Sequence, residues 1–230
     1  MFALIPARQG SKGLPQKNIL DFCGRPLIEH TIQAALDSGV FDRVLVSTDS
    51  EKIAEIARKA GADVPFLRPQ ALASDQSLAR NVYLHALDFY EKNWQKNLSF
   101  CALLPTSPLR SSDDIHKAHQ IFLQKKAQSV ISMTEALKPP EWCKIINETG
   151  LISSPAFSKE LSEENRQKSQ KYFIPNGSIY FFDREFFKNS PSYYGERTFG
   201  YLMPPERSID IDSAFDFEIA QYLMKKNICP

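Results

Sequence analysis

The sequence predicts a three-layer α/β/α architecture, with a mostly parallel sheet between two layers of helices. Three observations carry this reading. Short apolar runs alternate with segments of helical period through the first 133 residues or so, the signature of strand–helix–strand units. Glycines and Ser/Thr/Asp caps punctuate the helical segments. Polar loops follow several strand candidates, at the carboxyl ends where open parallel sheets bind ligands.

The first strand candidate covers residues 2–5. A helix is expected over 25–38, with apolar residues at Leu27, Ile28, Ile32, Ala35 and Leu36, Pro26 in its first turn and Gly39 as its stop. Residues 43–47 form a β-branched strand candidate, Thr48-Asp49-Ser50 caps a helix through Ala60, and Gly61 ends it. A third strand is expected at 64–67, then a helix at about 77–92 and a strand at 99–104. Ser111 or Ser112 caps a helix over 113–126, whose first turn carries two aspartates where the dipole favours them. Residues 128–133 form a further strand.

The alternation breaks at Glu135. Pro139-Pro140, a short strand candidate at 144–147, a turn at Glu148-Thr149-Gly150 and a charged stretch over 159–171 follow one another. Patterning resumes at 172–182, so residues 136–172 read as an insertion within one domain spanning 1–230. Composition leaves a solvated loop and an arm packed on a partner subunit equally open. A helix over 213–226 closes the fold.

At 230 residues the chain is long enough for a full core. Its 28 Lys and Arg against 27 Asp and Glu create no global field for nucleic acid or an anionic membrane, so any anion site must be local. Cys23, Cys101, Cys143 and Cys229 are scattered, with no C-x-x-C and no His at metal spacing. Free thiols in a reducing compartment are expected, and the chain reads as cytoplasmic. Neither a leader segment nor a membrane span is expected.

Four clusters carry chemistry. The first is the loop Ile5-Pro6-Ala7-Arg8-Gln9-Gly10-Ser11-Lys12-Gly13-Leu14-Pro15-Gln16-Lys17-Asn18. Inward-turned backbone N–H groups and adjacent cations suit a polyanion such as a triphosphate. A solvated basic loop is the plain alternative, disfavoured by the position after the first strand. The loop is neither Walker A nor the G-x-G-x-x-G fingerprint, which disfavours a kinase or ATPase. The second cluster runs from Arg68-Pro69 to Ser74-Asp75; Arg68 suits a base carbonyl or ribose, and Ser74-Asp75 reads first as a cap for the next helix. In the third, Leu104-Pro105-Thr106-Ser107-Pro108-Leu109-Arg110, the polar side chains Thr106, Ser107 and Arg110 face a ligand or, for Arg110, pair with Asp113 or Asp114.

The fourth is Ser208-Ile209-Asp210-Ile211-Asp212. In an extended segment both carboxylates share one face and repel unless a cation lies beside them. Mg²⁺ takes one or two carboxylates and fills its other positions with phosphate oxygens and water. Alternatively Asp212 caps the last helix and Asp210 is solvated; Ile209 and Ile211 facing the core favour the metal. A cationic phosphate loop and a dicarboxylate site on one sheet, without Walker A, point to nucleotidyl transfer.

Together these blocks, with Val46-Ser47-Thr48-Asp49 and Asn176-Gly177-Ser178-Ile179-Tyr180, resemble the acylneuraminate cytidylyltransferases, or CMP-sialic acid synthetases, including those for legionaminic and pseudaminic acid. They fall in the family's order over nearly the whole chain; residues 138–171 match loosely. The resemblance implies a Rossmann-like fold with an inserted dimerisation arm at about 136–172, a homodimer, and Mg²⁺-dependent coupling of CTP to a nine-carbon 2-keto sugar acid, giving the CMP-sugar and pyrophosphate. It implies that Arg8, Ser11, Lys12, Lys17 and Asn18 hold the CTP phosphates, Arg68 reads the cytidine, and Asp210 and Asp212 take Mg²⁺. Arg8, Lys17 and Asp212 would be catalytic. Lys144 and Arg166 would hold the sugar acid, and Tyr180 and Phe199 would line its pocket; Gln167 receives no role.

One departure matters. The family's sialic acid enzymes usually carry Gln before the Pro-Thr-Ser-Pro-Leu-Arg block, where this chain has Leu104. Loss of an amide beside a polar substituent suggests a less hydroxylated sugar of the legionaminic or pseudaminic type, with N-acetylneuraminic acid as the alternative. His30, His85, His116 and His119 all fall within expected helices, and none suits a base. Rival readings are a similar nucleotidyltransferase using an eight-carbon ulosonic acid (CMP-KDO synthetase-like) or a sugar phosphate, a phosphotransferase, and a catalytically silent nucleotide-binding module.

Overall fold

A computed structural model describes residues 1–10, 13–94, 99–155 and 171–228 of the chain. In chain order the strands are β1 (Phe2–Pro6), β2 (Asp21–Phe22) and β3 (Arg25–Pro26), then helix α1 (Leu27–Asp37), β4 (Arg43–Ser47), α2 (Glu51–Lys59) and α3 (Ala79–Asn93). There follow β5 (Phe100–Ala102), α4 (Ser112–Gln124), β6 (Ser129–Glu135), β7 (Ile145–Ile146), β8 (Ile152–Ser153), β9 (Phe173–Phe182), α5 (Arg184–Asn189), β10 (Thr198–Leu202) and α6 (Ala214–Ile228).

Six strands make the central sheet in the order β10-β6-β9-β5-β1-β4. The pairs β1–β4, β1–β5 and β10–β6 are parallel, while β9 runs antiparallel to both neighbours. Two-residue alternation sorts the side chains. Ala3, Ile5, Val44, Val46, Ile179 and Phe181 face a core with α1, α2 and α4. Phe2, Leu4, Leu45, Phe100 and Phe182 face the opposite core with α3 and Phe187 of α5. The sheet is therefore covered on both faces, as the alternating pattern predicts. A third cluster, including Phe22, Leu27, Leu109, Ile211 and Ala220, packs α6 onto the β2–β3 hairpin region.

Local signals explain most boundaries. Ser50 caps α2 through its side chain and Ser111 forms a capping box with Asp114 on α4, as expected from sequence. Residues 64–67 do not form the expected strand. Only Asp63 and Leu67 make isolated bridges, to Leu45 and Thr48, because Pro65 lacks the N–H that a continued ladder needs. The expected Ser74-Asp75 cap is also absent: α3 starts after Leu78 without a side-chain cap. β7 falls within the short strand expected at 144–147, whereas α5, β10, β8 and the β2–β3 pair are not singled out by the sequence pattern. The chain departs from the sheet after β6 and rejoins it at β9, and there the Ala136 N–H donates to the Tyr172 carbonyl at 2.9 Å.

Arg110 bolts these layers together rather than facing a ligand or pairing with Asp113 or Asp114. Only 3 % exposed, it donates to the Ser178 carbonyl at 2.6 Å, to Thr31 Oγ1 at 2.7 Å and to the Leu104 carbonyl at 3.4 Å. Burial lowers its pKa to about 10, still above neutrality, so a full charge is held mainly by neutral oxygens. Arg110→Met removes that charge and leaves the acceptors dry. Chemical denaturation should show a loss of roughly 2–4 kcal/mol; a loss within experimental error would refute the bolt.

Candidate functional site

The loop after β1 and the segment before α6 meet at the carboxyl ends of the parallel strands. They border a cleft of about 440 Å³ whose lining includes Arg8, Lys17, Asn18, Arg68, Leu104, Thr106 and Asp212. β1 and β5 are parallel neighbours, so their following loops emerge at the same edge, and the Ile211 N–H, donating to the Thr106 carbonyl at 2.8 Å, brings the segment before α6 to them.

The cationic wall is built from partners in other loops. Asn18, buried, donates through Nδ2 to the Arg8 carbonyl at 3.0 Å and fixes the loop's path. The Arg8 guanidinium pairs with Asp75 at 2.8 Å, so Asp75 serves this cleft instead of capping α3. The Gln9 N–H donates to Asp49 Oδ1 at 2.8 Å. Arg68 is buried and donates through Nε to Ser47 Oγ at 3.1 Å and through Nη2 to the Ser47 carbonyl. Burial lowers its pKa to about 10, opposed by Asp49, which leaves it cationic at neutral pH.

The acidic wall is less regular. Residues 208–212 form no strand, yet Ile211 is fully buried and Ile209 packs beside it, as the alternation requires. Asp212 is exposed, and Lys17 Nζ bridges its Oδ1 at 3.2 Å and the Ile211 carbonyl. Asp210 is largely withdrawn from solvent. Burial raises its pKa; a hydrogen bond from Thr106 opposes this, Asp212 adds to it and Lys17 counters it. Two glycines make the fit possible. A Cβ on Gly13 would collide with the Asp212 carbonyl oxygen, and one on Gly177 would lie 2.6 Å from Asp210 Oδ2.

Asp210 Oδ1 is buried without a hydrogen-bond partner. A lone carboxylate oxygen beside a second carboxylate suits a hard divalent cation that needs one or two protein ligands and takes the rest from phosphate and water. Among the described residues no group of three or more His, Cys, Asp or Glu could hold a metal ion.

The other expected site residues divide. Leu104 lines the cleft. Tyr180 packs with the α3 face, and burial, with Asp210 nearby, pushes its hydroxyl up to about 12. Phe199 packs against the α1 and α4 core on the opposite face, so the two aromatics do not line one pocket; strand register, invisible in the sequence, separates them. Lys144, beside β7, does not line the cleft and donates to Ser154 Oγ at 2.8 Å. Ser11, Lys12, Arg166 and Gln167 lie outside the described residues. The sequence reading missed Asp75 as the partner of Arg8, Thr106 as the partner of Asp210, and the two cradling glycines. For Gly177 a signal was present, since glycine inside a strand marks close approach.

A family model described as Cytidylyltransferase matches residues 2–229. An N-acylneuraminate cytidylyltransferase of Escherichia coli is 37% identical, over 98% of this chain and 52% of that protein. A CMP-N,N'-diacetyllegionaminic acid synthase of Legionella pneumophila is 37% identical, over 99% of this chain and 97% of that protein. A pseudaminic acid cytidylyltransferase of Campylobacter jejuni is 32% identical, over 97% and 96%. The chain spans about half the length of the N-acylneuraminate cytidylyltransferases it matches. A CMP:2-keto-3-deoxy-manno-octonic acid synthetase complexed with CTP shares the fold, with a TM-score of 0.70 at 19% identity over 98% of both chains.

The glycine cradle is separable from backbone strain. Gly177 and Gly150 both have positive φ, but only Gly177 has a neighbour in the space a Cβ would fill. Gly150→Ala should cost about 1–2 kcal/mol in chemical denaturation, whereas Gly177→Ala should cost more and turn the Asp210 carboxylate aside. Equal costs would mean the cradle is loose.

Proposed function

The chain belongs to the cytidylyltransferase family, and from that premise we propose that it couples CTP to a nonulosonic acid, a nine-carbon 2-keto sugar acid, releasing the CMP-sugar and pyrophosphate. The observation that carries this reading is the meeting of Arg8, Lys17 and Asn18 with Asp212 in one cleft. The three relatives above are named for N-acylneuraminate, diacetyllegionaminic acid and pseudaminic acid.

In the proposed reaction the anomeric 2-hydroxyl of the sugar attacks the α-phosphorus of CTP in line. A phosphorus–oxygen bond forms to the sugar, the hydroxyl proton passes to water, and the bond from the α-phosphorus to the bridging oxygen of the β-phosphate breaks with departure of pyrophosphate. The chain contributes by positioning and by charge rather than through a covalent intermediate. Arg8 and Lys17 face the triphosphate and stabilise the departing pyrophosphate; Ser11, Lys12 and Asn18 hold its oxygens. Arg68, held by Ser47, presents its outer edge to the cytidine. Mg²⁺, held by Asp210 and Asp212, would supply charge neutralisation at the phosphate oxygens and lower the pKa of the attacking hydroxyl. None of the four histidines lines the cleft, so a histidine base has no support.

Leu104 stands at the cleft without an amide to offer a polar substituent, which favours a less hydroxylated acid of the legionaminic or pseudaminic type. N-acetylneuraminic acid is the second reading, supported by the 37% identity to the Escherichia coli relative. We also propose a homodimer through the insertion. Ile145, Ile146, Leu151 and Ile152 on and beside the β7–β8 hairpin are all more than half exposed, an apolar patch that suits a second copy. Arg166 would reach the sugar acid from this arm. The free thiols Cys23, Cys101 and Cys143 suit a reducing compartment, so we place the reaction in the cytoplasm. No described helix is long and apolar enough to cross a membrane.

Pyrophosphate release should be seen with CTP and at least one of N-acetylneuraminic, legionaminic and pseudaminic acids, and not with UTP or GTP. Asp212→Asn should lower turnover by on the order of 10²-fold or more; near wild-type turnover would remove Asp212 from the metal. For the arm, an Ile146→Lys/Ile152→Lys variant should sediment as a monomer where the unaltered chain sediments as a dimer. A variant that stays dimeric would move the interface elsewhere.

A further inference from the structure

The acidic segment has no ladder bonds to hold its shape, so its carboxylates are only as well placed as its anchors. At its centre the Ile211 N–H donates to the Thr106 carbonyl at 2.8 Å, and Asn176 Nδ2 donates to Ser208 Oγ at 2.9 Å. Its entry is fixed differently. Arg207, the residue before the segment, donates through Nε to Asp114 Oδ2 at 3.0 Å and through Nη2 to Asp114 Oδ1 at 2.8 Å. A planar fork on a carboxylate sets angle as well as distance, which a single point contact does not.

Asp114 is fully buried, and its two oxygens gather three elements. Oδ2 accepts from the Ser111 N–H at 2.9 Å and the Ser111 hydroxyl at 2.8 Å, closing the start of α4. Oδ1 accepts from the Tyr201 hydroxyl of β10 at 2.9 Å. Burial alone would raise its pKa, but Arg207, Ser111 and Tyr201 together hold it below the usual range. The start of α4 continues directly from residues 104–110, and Leu104 and Thr106 of that stretch line the cleft. One carboxylate thus ties the sugar-side wall of the cleft to the acidic wall.

We propose that Arg207 and Asp114 are positioning residues for the reaction, setting where Asp210 and Asp212 stand relative to the Leu104–Thr106 wall. The inference rests on the reading of Asp210 and Asp212 as cation ligands. Neither Arg207 nor Asp114 lines the cleft, so both act through the segment they anchor. Loosening the fork lets the two carboxylates drift apart, which weakens cation binding and slows the chemical step while leaving contacts to the nucleotide in place. A purely structural staple would instead lower stability without changing the affinity of the folded chain for a cation.

The experiment uses Mn²⁺ as the probe, with free ion read by electron paramagnetic resonance in the presence of CTP. It compares the unaltered chain with Arg207→Gln, Arg207→Lys and Asp212→Asn, at a temperature where circular dichroism shows each folded. Arg207→Gln should weaken Mn²⁺ binding and lower kcat, each by roughly 10-fold, with the KM for CTP changed less than about twofold. Arg207→Lys, which keeps the charge and loses the fork, should recover only part of the loss. If Arg207→Gln does not fold, Arg207→Lys carries the same comparison. Unchanged Mn²⁺ affinity in the Arg207 variants, with a clear loss in Asp212→Asn, overturns the positioning role and leaves the metal reading intact. Unchanged affinity in Asp212→Asn as well overturns the metal reading, and the positioning role with it.

Discussion

Two carboxylates held two residues apart on an irregular segment repel each other, and much of the polar structure at the strand ends compensates for this. Lys17 supplies a cation and ties itself to the backbone between them. Thr106 hydrogen-bonds Asp210 and accepts the Ile211 N–H at 2.8 Å. Gly13 and Gly177 give up side chains so that backbone and carboxylate can close in. Even so, Asp210 keeps a buried oxygen without a partner. A folded chain tolerates such an atom poorly unless function requires it.

The sheet makes this compensation possible. β9 runs antiparallel between β5 and β6, and its residues 176–178 reach the strand-end edge beside the acidic segment. Asn176 accepts from Ser132 Oγ of β6 at 2.6 Å and donates to Ser208 Oγ at 2.9 Å. Had β9 been parallel, its amino-terminal end would lie at the far edge, and Gly177 could not cradle Asp210. The one strand that breaks the parallel pattern is therefore the one that supports the acidic pair.

What the sequence disclosed follows the range of the interactions involved. Strands β1, β4 and β5 and helices α1, α2 and α4 were legible because alternation, helical period and capping are local properties. The cationic loop and the acidic pair were legible as chemistry because each is contiguous. Partners distant in sequence were not. Arg110 follows a strand and sits in a polar loop, which reads as ligand-facing; its acceptors on Ser178 and Thr31 lie 68 and 79 residues away. Tyr180 and Phe199 read alike as strand aromatics, and only register sends them to opposite faces. Residues 64–67 looked like a strand by composition, yet Pro65 decided against it. The Ser74-Asp75 pair fits the local rule for a cap, and a longer-range ion pair to Arg8 took precedence.

The same distinction of range sorts the cations by what they can do. Arg110 and Arg68 are buried on carbonyl and hydroxyl oxygens, contacts that no incoming anion can replace without unpacking the loop. Arg8 and Lys17 instead hold carboxylates, Asp75 and Asp212, which are 46 % and 83 % exposed. The Arg8–Asp75 pair, open to solvent on both sides, contributes only about 0–1 kcal/mol, so on the proposed reading a triphosphate can draw Arg8 away at small cost, whereas Lys17, 12 % exposed and also bonded to the Ile211 carbonyl, is held more firmly. Arg68 thus belongs to the wall of the cleft and Arg110 to the packing behind it, and near-neutral net charge across the chain is compatible with strong local charge because Arg8 and Lys17 are each offset by a carboxylate.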